Sequence, residues 1–175
     1  MVHMEIVSVS GQSLRIKGKQ VTTIVSPVAG KSAAEVVLFF NRPHEALTES
    51  IIENLKLVVD GPGEYEMGGM KITGLRIGED VAYSLLLDGV ELFIAKASTS
   101  SKIKDIARDC QIAIIFSDAL VDQSAVTSLN AAMTIFYGDQ AIANAKTFGK
   151  EDAAPIAKVS VTREKLPTES EIIVL

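Results

Sequence analysis

Short runs of branched apolar residues, partly alternating with polar ones, dominate the first forty positions. Residues 6–9, 13–17 and 21–25 are rich in Val and Ile, and this pattern predicts three strands. Gly18 and Lys19 lie between the second and the third of them and predict a hairpin turn. Residues 36–40 read VVLFF and are apolar on both faces, which predicts a strand buried between two layers.

After residue 42 the spacing of apolar residues changes from that of a strand to that of a helix. Residues 43–54 place Leu47, Ile51 and Ile52 on one side of a helix, so the pattern predicts a short amphipathic helix there. Residues 57–59 predict a strand that runs into a tight glycine-rich turn at 60–69. Strands are then predicted at 70–77 and, as a hairpin around Asp88-Gly89, at 82–87 and 90–95.

The second half of the chain alternates between helical and strand patterns. Strands followed by βα alternation are typical of layered α/β architecture, with the sheets buried between helices. At 175 residues the chain is long enough for one domain with a substantial core, so a single domain over 1–175 is expected. The predicted helices are 103–107, 122–130 and 140–145, and the predicted strands are 112–116, 133–137, 159–161 and 172–175.

The charge balance argues against nucleic-acid binding. The net charge is −5, the chain has no Trp, and its densest basic cluster, residues 15–19, resembles the exposed face of a hairpin. Proteins that bind nucleic acids usually carry a basic stripe or aromatic stacking platforms. Nucleic acid is therefore an unexpected partner.

Nothing in the hydropathy pattern predicts a membrane span or a secretion signal. The apolar runs have strand length, and the first residues, MVHME, lack a basic region followed by an apolar core. The single cysteine, Cys110, agrees with a reducing compartment. We expect a cytoplasmic protein without a membrane anchor.

Four segments resemble the metallo-β-lactamase superfamily, in its branch of metal-dependent hydrolases. The most specific is residues 60–66, DGPGEYE, followed by Gly69 and an alternating strand. Residues 10–18, 88–92 and 164–175 resemble the opening segment, the central hairpin and the C-terminus of that branch. The resemblance covers almost the whole chain and implies an αββα four-layer sandwich, here trimmed, with the active site at one edge.

The metal-ligand motifs of that family are missing from this chain. The opening histidine of the family falls at Gln12, and its aspartate before proline falls at Ser26. The His-x-His-x-Asp-His hallmark falls at residues 40–46, FNRPHEA, where only His44 is ligand-like. The aspartate that bridges two metals in the family falls at about Lys96-Ala97, and the last histidine falls near residues 136–138. The resemblance therefore implies a degenerate member of the superfamily, and no catalytic, metal-binding or cofactor-binding residue is assigned.

Four residues remain as candidates for a remodelled site: His44, Asp60, Asp118 and Asp139. His44 could be a lone base or a single metal ligand, or simply a surface histidine at a helix start. Asp60 could bind a hard cation together with Glu64 and Glu66, although the glycines and proline around it are explained by a tight turn.

Two further features have both a structural and a functional explanation. The hydroxyl groups of residues 98–101 precede a predicted helix, where they could cap free N–H groups or hold an anion. Cys110 precedes an apolar strand and is expected to be a buried small hydrophobe.

The expected function is that of a binding or scaffolding module without enzymatic activity and without a cofactor. Its partner would be an unidentified protein or a second copy of the chain, because apolar positions on a trimmed sandwich edge favour self-association. The alternative is a metal-dependent hydrolase with a remodelled or single-metal site, and Zn or Mn is expected only in that case.

Overall fold

The computed structural model describes residues 3–41, 50–106 and 109–175 of the chain. Most elements in these ranges are strands, as the short branched apolar runs predict. The strands are β1 (Met4–Ser10), β2 (Ser13–Lys17), β3 (Thr22–Val25), β4 (Gly30–Ala33), β5 (Val36–Leu38), β6 (Ser50–Glu53), β7 (Leu57–Val59), β8 (Gly63–Met67), β9 (Met70–Ile77), β10 (Asp80–Leu87), β11 (Val90–Lys96), β12 (Ile112–Phe116), β13 (Met133–Tyr137), β14 (Val159–Val161) and β15 (Glu171–Val174). The helices are α1 (Ile103–Ile106), α2 (Gln123–Thr127) and α3 (Ala141–Thr147), with 3₁₀ turns at Ala97–Lys102 and Arg163–Lys165.

Thirteen of the fifteen described strands form two large mixed sheets, and β4 and β6 form a separate two-stranded sheet. The first has the order β14-β1-β2-β3-β5-β7 and the second has the order β15-β13-β12-β11-β10-β9-β8. In the first sheet β3, β5 and β7 are parallel, and in the second β11, β12, β13 and β15 are parallel. Parallel neighbours need a crossover connection. The short helices α1 and α2 lie in those crossovers and connect β11 to β12 and β12 to β13.

The core consists of two clusters on opposite faces of the second sheet. Leu14 and Ile16 of the first sheet belong to the same buried cluster as Ile114 and Ile135 of the second sheet. On the other face, side chains of β12 and β13 pack with Ala125, Val126 and Ala145 of the helices. The period of two along β12 explains this division, because alternate residues of a strand point to opposite faces.

The two-sheet sandwich and most predicted strands are confirmed. Within the described ranges α1, α2 and α3 border the outer core of the second sheet. At the outer face of the first sheet, residues of β4 line a cavity of about 340 Å³ together with Arg15 and Ile24. Among the described residues, the helices α1, α2 and α3 all lie on the side of the second sheet.

The predicted helix at 43–54 is wrong for its second half. Ser50–Glu53 is strand β6, which pairs in parallel with β4. The adjacent β-branched residues Ile51 and Ile52 suit a strand, and a partner strand from another part of the chain overrides the local helical spacing. Asn54 follows with φ of 64° and ends the strand. Residues 42–49, which carry the rest of the prediction and His44, lie outside the described residues.

The glycine-rich segment is a crossover between the two sheets rather than one long turn. The chain leaves β7 of the first sheet, passes through residues 60–62 and enters β8 at the edge of the second sheet. The carbonyl oxygen of Gly61 lies only 2.5 Å from the place where a Cβ on Gly74 would be. Glycine at position 74 therefore lets the crossover lie directly on β9.

Among the residues that the structure describes, no helix is long and apolar enough to cross a membrane.

Candidate functional site

The parallel strands of both sheets end along one edge of the sandwich. Tyr137, at the end of β13, donates a hydrogen bond from its hydroxyl to the carbonyl oxygen of Gln12 in the β1–β2 turn, at 3.2 Å. Phe40 follows β5 and stacks on Phe116 at the end of β12, with ring centroids 6.2 Å apart. These contacts bring the ends of the two sheets together. Side chains in this region belong to the edge that the resemblance identifies as the active-site edge.

A lysine and two aspartates form the charged centre of this edge. The Lys96 Nζ lies 3.2 Å from Oδ2 of Asp80 and 3.6 Å from Oδ2 of Asp118. The side chains of Lys96, Asp80 and Asp118 are 18%, 12% and 23% exposed. Their attraction is therefore less screened than that of a surface ion pair. One ammonium group balances part of the charge of two carboxylates.

Neutral groups occupy further lone pairs of the two carboxylates. Asn41 donates from Nδ2 to Oδ1 of Asp80 at 2.9 Å. Ser98 donates from its backbone N–H to Oδ1 of Asp118 at 3.0 Å and from its hydroxyl to Oδ2 at 2.6 Å. The network therefore joins residues that follow β5, begin β10, end β11 and follow β12. We call these five residues, Asn41, Asp80, Lys96, Ser98 and Asp118, the Lys96 network.

An aromatic wall lies beside the network. Phe116 and Tyr137 pack with ring centroids 5.3 Å apart. Burial raises the pKa of the Tyr137 hydroxyl, and the nearby charge of Asp118 raises it further. Gly138 has φ of 99°, and a Cβ there would be 2.7 Å from the Phe116 ring. The resemblance places the last histidine of the family near residues 136–138, and aromatic rings pack tightly in this region.

The hydroxyl groups of Ser98, Thr99 and Ser100 make hydrogen bonds inside the protein, and none of these bonds caps a helix. They lie inside the 3₁₀ turn Ala97–Lys102, whose N-cap residue Lys96 makes no side-chain capping bond. Ser98 binds Asp118, Thr99 donates to the Lys96 carbonyl, and the Ser100 hydroxyl accepts from the Asp122 N–H at 2.8 Å. The Asp118 carboxylate accepts from the backbone N–H of Ser98 at the start of this turn. A negative charge is electrostatically favourable at that end, because the free N–H groups of the turn point toward it.

The structure separates the predicted candidates. Asp118 belongs to the Lys96 network, whereas Asp139 is exposed in the turn between β13 and α3. Asp60 lies in the crossover after β7, and its charge adds to the burial that raises the pKa of Tyr83. His44 lies outside the described residues. These positions are not assembled into one site by any described contact.

The sequence pattern missed Asp80 and Asn41 as members of this edge, whereas Ser98 belongs to the hydroxyl cluster 98–101 that the sequence analysis singled out. Asp80 lies in a turn-like Gly-Glu-Asp segment, and its low exposure of 8% becomes visible only in the folded chain. A signal for Lys96 existed, because it is the charged residue at the position of the bridging aspartate. The pairing of opposite charges across strands could not be read from spacing along the chain.

The described residues at this edge do not fit a metal ion. An ammonium group stands between the two carboxylates, so a cation placed there would meet a positive charge at close range. Among the described residues, no three His, Cys, Asp or Glu side chains are grouped so that they could hold a metal ion. A dinuclear hydrolytic centre needs several imidazole and carboxylate ligands that converge on one position. No catalytic step through a metal is therefore derived.

Solved structures share this architecture. No family model and no curated protein sequence matches the chain. A protein from Thermotoga maritima described as a zinc-dependent hydrolase of the metallo-β-lactamase superfamily has 15% identity, 98% coverage of both chains and a TM-score of 0.73. A protein from Parabacteroides distasonis described as a metal-dependent hydrolase has 15% identity, 86% and 90% coverage and a TM-score of 0.60. The metallo-β-lactamase fold protein YhfI from Bacillus subtilis has 9% identity, 100% and 97% coverage and a TM-score of 0.59.

Structural similarity at such low sequence identity establishes the fold alone. Any activity has to be inferred from the residues of the site itself. The similarity extends over nearly the whole chain in the first and third of these structures. The two-sheet topology and the edge where the strand ends meet agree with it. The chain therefore has the metallo-β-lactamase fold.

Proposed function

We propose that this protein is a catalytically degenerate metallo-β-lactamase-fold protein that acts as a binding or scaffolding module. The observation that carries the proposal is the Lys96 ammonium between Asp80 and Asp118, at 3.2 and 3.6 Å. By the resemblance, Lys96 stands at about the position of the aspartate that bridges two metals. A positive side chain in that place opposes the binding of a second positive charge.

The other ligand positions support the same proposal. Gln12 and Ser26 replace a histidine and an aspartate, and the Gln12 carbonyl accepts the hydroxyl of Tyr137. Residues 136–138 contribute aromatic packing in the place of the last histidine. The resemblance places metal ligands at these positions, and the side chains found there instead are not metal ligands of that type. This is the pattern expected when the fold is retained without its metal chemistry.

The partner would be a protein, either of another kind or a second copy of this chain. Large apolar side chains remain exposed at several places, with Ile51 65%, Leu120 62% and Val9 51% exposed. The net charge of −5 makes nucleic acid a poor partner. We place the protein in the cytoplasm, in agreement with its lone, buried Cys110.

Metal analysis of the purified protein tests this proposal. After dialysis, and again after incubation with Zn²⁺ or Mn²⁺ and a second dialysis, elemental analysis should find far less than one equivalent of metal. Because no metal contributes to folding in this proposal, a chelator should leave the thermal unfolding midpoint unchanged.

His44→Ala and His3→Ala are the matched variants, because these two positions hold the only histidines of the chain. Near-stoichiometric metal that survives dialysis in the wild type and disappears in His44→Ala would overturn the proposal. It would favour the alternative, a hydrolase with a single-metal site around His44.

A further inference from the structure

We infer that the cavity beside β4 binds a short, extended, apolar segment of a partner protein that ends in a C-terminal carboxylate, and that Arg15 holds this carboxylate. The inference rests on the proposed function, because it specifies which surface of a binding module receives its protein partner. Its structural basis is the cavity of about 340 Å³ at the outer face of the first sheet, which we call the β4 cavity.

The β4 cavity borders the backbone edge of β4. Residues 27–33 line it without a gap, whereas a cavity on one face of an extended chain would be lined by alternate residues. The partner strand β6 contributes none of its lining, so the cavity lies on the side of β4 that faces away from β6. Among the described strands only β6 pairs with β4. The edge of β4 at the cavity can therefore accept the backbone of an added strand.

The opposite wall of the β4 cavity carries a cation without a partner. Arg15 lies on β2, and its cross-strand neighbours Val7 and Ile24 are both apolar. Its guanidinium makes no ion pair or hydrogen bond with a described side chain, because the nearby Glu5 carboxylate is bound by Lys158 at 3.2 Å. A planar guanidinium binds a carboxylate through two parallel hydrogen bonds.

The other cation at the β4 cavity already has a partner. The Nζ of Lys31 lies 2.8 Å from Oε1 of Glu53. Among the described lining residues, Arg15 is therefore the positive group that remains available to a ligand. One free cation matches one negative charge on the occupant, although the chain as a whole has a net charge of −5.

The remaining walls select an apolar occupant. Val9 and Val28 line the β4 cavity and are 51% and 39% exposed, so a bound segment would cover apolar surface that is now in contact with water. A C-terminal carboxylate supplies the matching charge on the backbone and leaves every side chain of the segment apolar. A cavity with apolar walls and few polar groups is the usual form of a binding site.

An array of peptides of about five residues tests this inference. The peptides combine Val, Ile, Leu and Thr, and each sequence is present once with a free C-terminal carboxylate and once with a C-terminal amide. Labelled wild-type protein should bind a subset of the carboxylate forms about tenfold more tightly than their amide twins, because the amide has no charge for Arg15.

Two substitutions on β2 separate the site from general charge effects. Arg15→Gln should weaken binding of the selected peptide about tenfold. Lys17→Gln is the matched control, because it removes the same charge from the same face of the strand at a position that does not line the cavity. It should bind like the wild type. Both side chains are exposed, so the thermal unfolding midpoint of each variant should stay at the wild-type value.

Methylated peptides test addition to the β4 edge with the wild-type protein alone. In an added strand, the N–H groups of alternate residues point to the neighbouring strand. N-methylation at one of two adjacent central positions should therefore abolish binding, and N-methylation at the other should be tolerated. Octanoate, a free apolar acid, should displace the peptide only at a concentration at least about tenfold above that of unlabelled peptide.

Four results would overturn the inference: no binding by any carboxylate peptide, equal binding of carboxylate and amide twins, equal losses in Arg15→Gln and Lys17→Gln, or equal effects of the two methylations. Displacement by octanoate at the same concentration as unlabelled peptide would overturn it too, because the occupant would then be a small acid. These failures differ from failure of the proposed function, whose test is the metal content of the wild type.

Discussion

Individual side chains at the edge of the sandwich have roles set by their partners. Asp80 and Asp118 are each an ordinary acidic residue in the sequence, and their common contact with Lys96 appears only in the folded chain. Asn144, which is completely buried, also has a role that depends on its hydrogen-bond partners. It accepts from the Val121 N–H and donates to the Ala119 carbonyl, so one amide holds the loop after β12 on α3. Buried amides are retained where both of their hydrogen-bonding groups are satisfied.

Cys110 should be unreactive while the protein is folded. Burial is the main cause that raises the pKa of its thiol to about 12, and the charges of Asp109 and Glu91 add to it. Only the thiolate attacks thiol reagents, so labelling at pH 8 should be negligible in the native protein. In denaturant the single thiol should react completely. Fast stoichiometric labelling under native conditions would contradict the buried position.

At the scale of elements, the crossover from β7 to β8 determines how the two sheets are joined. Residues 60–62 pass over β9 with the Gly61 carbonyl against Gly74. The sequence segment that most resembles the family is thus a structural connection between the two sheets. Its glycines serve close approach and backbone freedom rather than binding of a ligand.

Substitution of Gly74 by alanine should destabilise the protein. The new Cβ would lie 2.5 Å from the Gly61 carbonyl oxygen, and the resulting shift should cost about 1–3 kcal/mol of unfolding free energy. Urea unfolding of Gly74→Ala and wild type measures the difference.

Gly61→Ala is the matched control on the other side of the same contact. A Cβ at Gly61 would have no atom within 4 Å, so this variant should stay within about 0.5 kcal/mol of the wild type. Equal stability of the two variants would show that the crossover does not press on β9.

At the scale of the whole molecule, buried tyrosines connect the two sheets. The Tyr83 hydroxyl, on β10 of the second sheet, donates to the carbonyls of Phe39 and Val59 of the first, at 2.6 and 3.1 Å. The Tyr137 hydroxyl bonds to Gln12 in the same way. Burial raises the pKa of both phenols, because the charged form would be desolvated between the sheets.

Alkaline unfolding should therefore be coupled to ionisation of these tyrosines. Their folded pKa values are raised, so their contribution to stability is present below about pH 10, the unfolded value, and is lost as the pH rises further. Phenolate absorbance should appear together with loss of the β-sheet circular dichroism signal. Tyr65→Phe removes the third tyrosine of the chain and leaves a signal from this pair alone. Ionisation of the pair before any loss of β structure would contradict the role assigned to them.

The fold was predictable because its signals are local. Alternation along residues 70–77, the Asp88-Gly89 turn and the apolar run 112–116 each predict an element without reference to the rest of the chain. The helix predicted at 43–54 failed in its second half for the same reason. Its helical spacing is local, whereas the pairing of β6 with β4 depends on residues twenty positions away.

The sequence by itself determined most strands of the two large sheets and the absence of the ligand residues that the resemblance implies. Both depend on residue types at fixed spacing, and a histidine that is absent cannot be supplied by folding. Only the tertiary structure decided what stands in their place. The contacts of Lys96 with Asp80 and Asp118 join residues 16 and 22 positions away from it in sequence. They exist because the end of β11 lies beside the start of antiparallel β10 and beside the end of parallel β12. Electrostatic energy depends on distance in space, so no pattern along the chain could assign that role to Lys96.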